Sequence, residues 1–259
     1  MREPVISFNN VSKSYPLYRN IRGIKNFLFD LPKNIVTMKF ERFEALRDIN
    51  FEVYAGEKFG IIGRNGAGKS TTLGLVAGVL KPDYGTVVVR GRISPLLALG
   101  AGFHQELTGR ENIILNGVLM GLTRREVYEK LDEIIEFSEL GDFVDRPIRV
   151  YSSGMMARLG FSVVAHLDPE ILLIDEVLGV GDIRFQQKCL NKMMTFKESG
   201  VTMVLVTHSV ASVVNICDRA MWIEDHVVRM IGDPIEVVEH YCEASGVPVN
   251  LDLVNKAAL

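Results

Sequence analysis

Apolar and polar positions along the chain follow two periods. Val5-Ile6-Ser7-Phe8 alternates, and so does Ile49-Asn50-Phe51-Glu52-Val53 within the stretch from Ala45 to Val53. Alternation puts every second side chain on one face and predicts half-buried strands. Thr86 to Val89, Arg219 to Glu224 and Val227 to Ile231 also read as strands. Three runs are almost wholly apolar: Phe59 to Ile62, Ile171 to Ile174 and Val201 to Val206. Runs without a polar face predict strands covered on both sides, as in a parallel sheet. Helical patterns lie between them, from Lys69 to about Val79, from Ser152 to about Leu167, from Phe185 to Phe196 and from Pro234 onward. Thr108 with Glu111, and Thr123 with Glu126, have the spacing of capping boxes. The helices they open, to about Leu140, are expected to form a separate lobe lined by Ile113, Ile114, Leu115, Leu131, Ile134 and Ile135. Buried strands alternating with helices predict an α/β fold. Ser94 to Glu106 is apolar, punctuated by glycine and follows neither period, so no element is assigned there.

Residues 16–44 interrupt this order and read as an insertion. Ile21, Ile24, Leu28 and Leu31 recur at helical spacing. Arg19, Arg22, Lys25, Lys33, Lys39 and Arg42 outnumber Asp30, Glu41 and Glu44. A basic amphipathic segment faces a membrane or a membrane partner, or packs its apolar stripe on its own domain; both readings stay open. The rest of the chain offsets this charge: the net value is −3, with no global pull toward nucleic acid. No apolar run approaches the roughly 20 residues that span a bilayer. Met1-Arg2-Glu3-Pro4 opens without the apolar stretch of a signal peptide. Cys189, Cys217 and Cys242 form no C-x-x-C pair and read as free thiols. The 259 residues suffice for one large domain or two small ones.

Candidate chemistry begins at Gly63-Arg64-Asn65-Gly66-Ala67-Gly68-Lys69-Ser70-Thr71. This is G-x-x-x-x-G-K-[ST] between a predicted strand and a predicted helix. Glycines let the backbone curl until its N–H groups point at phosphate oxygens, and the helix N-terminus adds unsatisfied donors. Lys69 is expected at the β- and γ-phosphates and the Ser70 hydroxyl on Mg²⁺. Asp175 and Glu176 end the apolar run from Ile171. Asp175 is a candidate Mg²⁺ ligand, and Glu176 a candidate to polarise a water for attack on the γ-phosphate. His208 ends the next buried strand and can face the same site. Ser152-Ser153-Gly154 opens a helix, either as a plain serine cap or as a second anion site. Tyr15 is a candidate to stack on adenine, or an ordinary half-exposed tyrosine.

Taken in order, these motifs resemble the ATP-binding-cassette ATPases over about residues 5 to 240. Gly63 to Ser70 is similar to a Walker A motif, Ser152-Ser153-Gly154 to a degenerate signature, and Ile171 to Glu176 to a Walker B motif with its catalytic glutamate. Gly179-Val180-Gly181-Asp182 resembles a D-loop, which places Asp182 near nucleotide, and His208 resembles a switch histidine. Tyr151-Ser152-Ser153-Gly154-Met155, Leu99 to Phe103 before Glu106 to Asn112, and the insertion after Tyr15 resemble the ATPase subunits of bacterial polysaccharide exporters, the O-antigen type most closely. Teichoic acid, capsule and small-solute transporters, or a soluble ATPase acting on DNA or ribosomes, are the alternatives.

The resemblance implies a P-loop, RecA-like core with an antiparallel β subdomain and a helical subdomain at about 107–165, within a nucleotide-binding domain at 1–245 that ends in a tail at 246–259. It implies Mg²⁺ and ATP, a head-to-tail pair of chains, and Ser152 and Gly154 of one copy closing on the Walker A motif of the other. It further implies a transmembrane permease subunit, export of lipid-linked polysaccharide, and a peripheral place on the cytoplasmic face of the bacterial inner membrane. Three positions depart from the usual signature, Tyr151, Ser153 and Met155. Gln105 or His104 stands where the loop glutamine that contacts Mg²⁺ is expected. A C-terminal carbohydrate-binding domain, carried by some relatives, is not expected here. Reversing Arg22 and Lys25 to Glu is expected to impair export in vesicles more than basal ATP hydrolysis; unchanged export would reduce the insertion to packed surface.

Overall fold

The computed structural model describes residues 3–17, 42–96, 102–175 and 181–247. Most of the inserted segment, Glu176 and the first part of the Gly179 to Asp182 loop lie outside the described residues, as does the C-terminal tail from 248.

Two sheets carry the fold. Strands β1 (Pro4–Pro16), β2 (Arg42–Tyr54) and β4 (Tyr84–Val89) form an antiparallel sheet in the order β2-β1-β4. The larger sheet takes β5 (Ile93–Leu96), β6 (Ile171–Asp175), β7 (Thr202–Val206), β3 (Lys58–Ile62), β8 (Arg219–Glu224) and β9 (Val227–Gly232), in that spatial order. Its first five strands run parallel and β9 returns antiparallel at the edge. The apolar runs earn their burial on both faces. Leu173 and Val204 pack toward the antiparallel sheet, whereas Leu172 and Leu205 pack toward the helices. Between the sheets, Phe51 stacks on Phe8 at 4.4 Å and on Phe59 at 5.4 Å.

The helices are α1 (Lys69–Val76), α2 (Gly109–Leu119), α3 (Arg124–Ser138), α4 (Ser153–Ala165), α5 (Ile183–Glu198), α6 (Val210–Ile216) and α7 (Pro234–Ser245). Both predicted capping boxes are present, at Thr108 and Thr123. Helices α2, α3 and α4 pack on one another as the helical lobe. Ile113, Leu131 and Ile134 are buried in a core that these helices share with Leu172 and Leu205 of the larger sheet, with Ile114 and Ile135 packed against it. The lining expected of a separate lobe is therefore continuous with the main core, and Leu115 is not part of it. No described helix is long and apolar enough to cross a membrane.

Four expectations need correction. Helix α1 ends at Val76, not near Val79, because Gly78 turns left-handed at φ 70° and the Leu80 N–H bonds back to Gly74. Ile93 to Leu96 is a strand; Pro95, which cannot donate, is tolerated because the strand lies at the sheet edge. Beta strand β1 runs on to Pro16. Residues Pro16, Arg42, Phe43 and Glu44 belong to the paired strands, with Pro16 opposite Arg42 and Tyr15 opposite Phe43, so the insertion is shorter at both ends.

Asp83 ties these strands together. Its carboxylate accepts from the Ser14 N–H at 2.8 Å, the Ser14 hydroxyl at 2.9 Å, Lys13 Nζ at 3.0 Å and Arg42 Nη2 at 3.1 Å. The Ser14 backbone bond, with smaller help from Lys13 and the Ser14 hydroxyl, holds its carboxyl down at about 2. A depressed carboxyl stabilises the fold above its unfolded value near 4 and loses that contribution as pH falls toward 2. Asp83→Asn should therefore lower the melting temperature at pH 7 by about 2–4 °C, the shift expected for about 1 kcal/mol in a chain of this size. Melting curves of the two proteins should converge between about pH 4 and pH 2; a gap unchanged at pH 2 would refute the assignment.

Candidate nucleotide site

Strands β3, β6 and β7 end together. Ile61 pairs with Val206, and Val206 pairs with Asp175, so the three strands share one row at their C-terminal ends. The loops beyond that row carry the glycine-rich segment and His208, the usual place for a ligand in an open parallel sheet.

The glycines between β3 and α1 are required by their neighbours. A Cβ on Gly63 would lie 2.2 Å from the Ile223 carbonyl oxygen, and one on Gly68, at φ 109°, would lie 2.5 Å from the Ala45 carbonyl oxygen. Gly66, at φ 83°, faces open space. No side chain caps α1, so its first N–H groups stay available to an anion. Lys69 folds across the loop, its Nζ donating to the Gly63 carbonyl at 2.7 Å and the Arg64 carbonyl at 3.1 Å.

A cleft of about 460 Å³ opens on this loop. Asn65, Gly66, Gly68, Lys69, Ser70 and Thr71 line it from the loop and helix side. Asp175 and His208 line it from the sheet, and Tyr15 from β1. Gly63, Arg64 and Ala67 do not line it; the first two supply the carbonyls that hold Lys69. Burial pushes the Lys69 ammonium down, against the pull of Asp175. Burial likewise raises the Asp175 carboxyl, opposed by Lys69 and His208. The His208 imidazole is pushed down by burial and then by Lys69. A cation, a carboxylate and an imidazole thus share one partly desolvated space that suits a polyphosphate. Among the described residues no group of three or more His, Cys, Asp or Glu stands ready for a metal. Ser70 and Asp175 fit Mg²⁺ better, since that ion keeps waters and takes few protein ligands beside phosphate oxygens.

Comparison with known proteins agrees with this geometry. The family model "ABC transporter" matches residues 46–179. "O-antigen export system ATP-binding protein RfbB" of Klebsiella pneumoniae is 55% identical over 243 residues, which are 93% of this chain and 99% of that protein. The chain belongs to the ABC transporter family. "Teichoic acids export ATP-binding protein TagH" of Listeria innocua is 43% identical over 92% of this chain and 70% of its own length. The fold matches the ATP-binding cassette MJ0796, solved as a dimer in a post-hydrolysis state with ADP and Pi, at a TM-score of 0.69 and 21% identity over 88% of this chain and 98% of that one.

Other residues expected from the ABC motifs lie apart from the cleft. Ser152 is exposed and caps α4, accepting from the Met155 N–H at 3.2 Å, and Gly154 follows in the first turn. Asp182 caps α5, accepting from the Phe185 N–H at 2.9 Å, and pairs with Arg158 of α4. The Phe185 bond, and then Arg158, hold its carboxyl below the usual range. Gln105 is exposed, and its carbonyl accepts from the Arg149 N–H at 3.1 Å. Buried Asn112 fixes that turn, accepting from the His104 N–H at 2.7 Å and donating to the carbonyls of His104, Leu107 and Thr108. Glu176 follows Asp175 directly but lies outside the described residues.

Three lining residues, Ala45, Val206 and the aromatic Phe43, were not expected at the site. Phe43 of β2 borders the cleft opposite Tyr15. Phe43 stands just before the alternating stretch, where no period marks it, and only the pairing of β1 with β2 reveals its place. Lys69→Ala should weaken Mg²⁺-ATP and inorganic tripolyphosphate alike, at least tenfold each by calorimetry, because it removes a charge that meets phosphate. Equal affinities for both proteins would take Lys69 out of phosphate binding.

Proposed function

We propose that this chain is the ATP-hydrolysing subunit of a bacterial exporter that moves a lipid-linked polysaccharide of the O-antigen kind across the inner membrane. It works from the cytoplasmic face, as two copies joined to a separate transmembrane subunit. The observation that carries the reading is the 55% identity to an O-antigen export ATP-binding protein across nearly the full length of both chains. The cleft that unites the glycine-rich loop, Asp175 and His208 supports it.

The roles follow from the chemistry of each group. The α1 N-terminus and Lys69 bind the phosphate chain. Ser70 and Asp175 hold Mg²⁺, which when bound neutralises charge on the phosphate oxygens. Glu176 takes the proton of the attacking water, and His208 contacts the γ-phosphate. Ser152 and Gly154 lie outside this chain's own cleft and belong to the site of the second copy. Closure of two copies around nucleotide, and reopening after hydrolysis, moves the membrane subunit.

Glu176→Gln, assembled with its transmembrane subunit, should bind ATP as the unsubstituted chain does and turn it over about 10²-fold more slowly or worse. Unchanged turnover would sink the mechanism, and export of a small solute instead of glycan by the same vesicles would sink the assignment of cargo.

A further inference from the structure

Phe43 occupies a place that core packing does not explain. It is 41% exposed, yet it is directly opposite Tyr15 in the antiparallel pair of β1 and β2. Directly paired residues project on the same face of a sheet, with Cβ atoms about 4.5–5.5 Å apart. Both side chains border the cleft that holds Lys69 and Ser70. Phe43 also borders a second cleft of about 430 Å³, shared with Arg64 and the Asp225-His226 turn, and so stands with Asn65 and Gly66 between the two.

The pair is held from two sides. Asp83 binds Ser14 and Arg42, the neighbours of Tyr15 and Phe43 on their respective strands. From the other side comes His226, in the turn between β8 and β9. Its ring meets Phe43 edge-on, with centroids 5.1 Å apart and planes at 84°. Its carbonyl accepts from the Arg47 N–H at 2.8 Å, tying the turn to β2. His226 is left-handed at φ 68°, a conformation that turns normally give to Gly or Asn, and its Nδ1 is buried without a hydrogen bond.

We infer that Phe43 is a second base-stacking residue, and that Tyr15 and Phe43 together make a platform whose width selects purine over pyrimidine triphosphates. The inference rests on the nucleotide reading above and adds the determinant of base choice to it. Stacking on an aromatic face tolerates any base but scales with the ring area covered, so a two-ring base gains more from two side chains than a one-ring base does. Asp83 and His226 are positioning residues for the platform.

The test is calorimetric titration of the full chain, with Mg²⁺, using ATP, GTP, CTP, UTP and inorganic tripolyphosphate. The unsubstituted chain should bind ATP and GTP roughly tenfold more tightly than CTP and UTP. Phe43→Ala should weaken ATP roughly tenfold, bring the four nucleotides within about twofold of one another and leave tripolyphosphate unchanged. Phe43→Trp should restore the purine preference, and His226→Ala should erode it with tripolyphosphate again unchanged. If Phe43→Ala loses tripolyphosphate too, Phe43→Leu decides, since it keeps apolar bulk without the ring; loss of ATP alone supports the platform. Purine preference intact in Phe43→Leu or Phe43→Ala overturns the inference while leaving the nucleotide site standing. Failure of the unsubstituted chain to bind either ATP or tripolyphosphate overturns the nucleotide reading itself.

Discussion

A backbone loop can surround a phosphate only where no side chain fills the space, and here two carbonyl oxygens enforce that condition. One belongs to Ile223 in β8 and crowds Gly63; the other belongs to Ala45 in β2 and crowds Gly68. The two crowding strands come from different sheets. The loop is therefore not a free-standing motif on one strand and helix. Its shape is set where the antiparallel sheet meets the mixed one, and the stacked Phe8, Phe51 and Phe59 rings join those two sheets.

The electrostatics follow from that enclosure. Lys69 spends its hydrogen bonds on carbonyls of its own loop, and Asp175 faces it across the cleft. Neither group is fully solvated, and each offsets part of the burial penalty of the other. A polyphosphate that enters exchanges neutral carbonyl acceptors for charged oxygens, a stronger partner for an ammonium. The gain is realised only if the carboxylate beside it is screened, which is what a divalent cation would do under the proposed function.

Much of this was legible in the residues. Helix starts at Thr108 and Thr123 carry their caps in the sequence, and the apolar runs at Ile171 and Thr202 declare strands buried on both faces. The glycine-lysine-serine spacing pointed to the loop that lines the cleft, because each residue type there answers a local requirement. What was illegible depends on contacts between distant segments. Ile93 to Leu96 is too short to show a period and becomes a strand only beside β6. Phe43 looks like a stray aromatic until β1 pairs with β2. The true end of α1 turns on Gly78, whose left-handed conformation a sequence permits but does not dictate.

The register of β1 with β2 carries one more consequence. Pro16 and Arg42 are partners on the same rung, so the chain leaves the sheet and re-enters it at a single point. The entropy of closing an excursion from such a rung grows only with the logarithm of its length. The rung is a graft junction. Doubling the length of what is spliced there costs the cassette only about 0.6 kcal/mol in closure entropy.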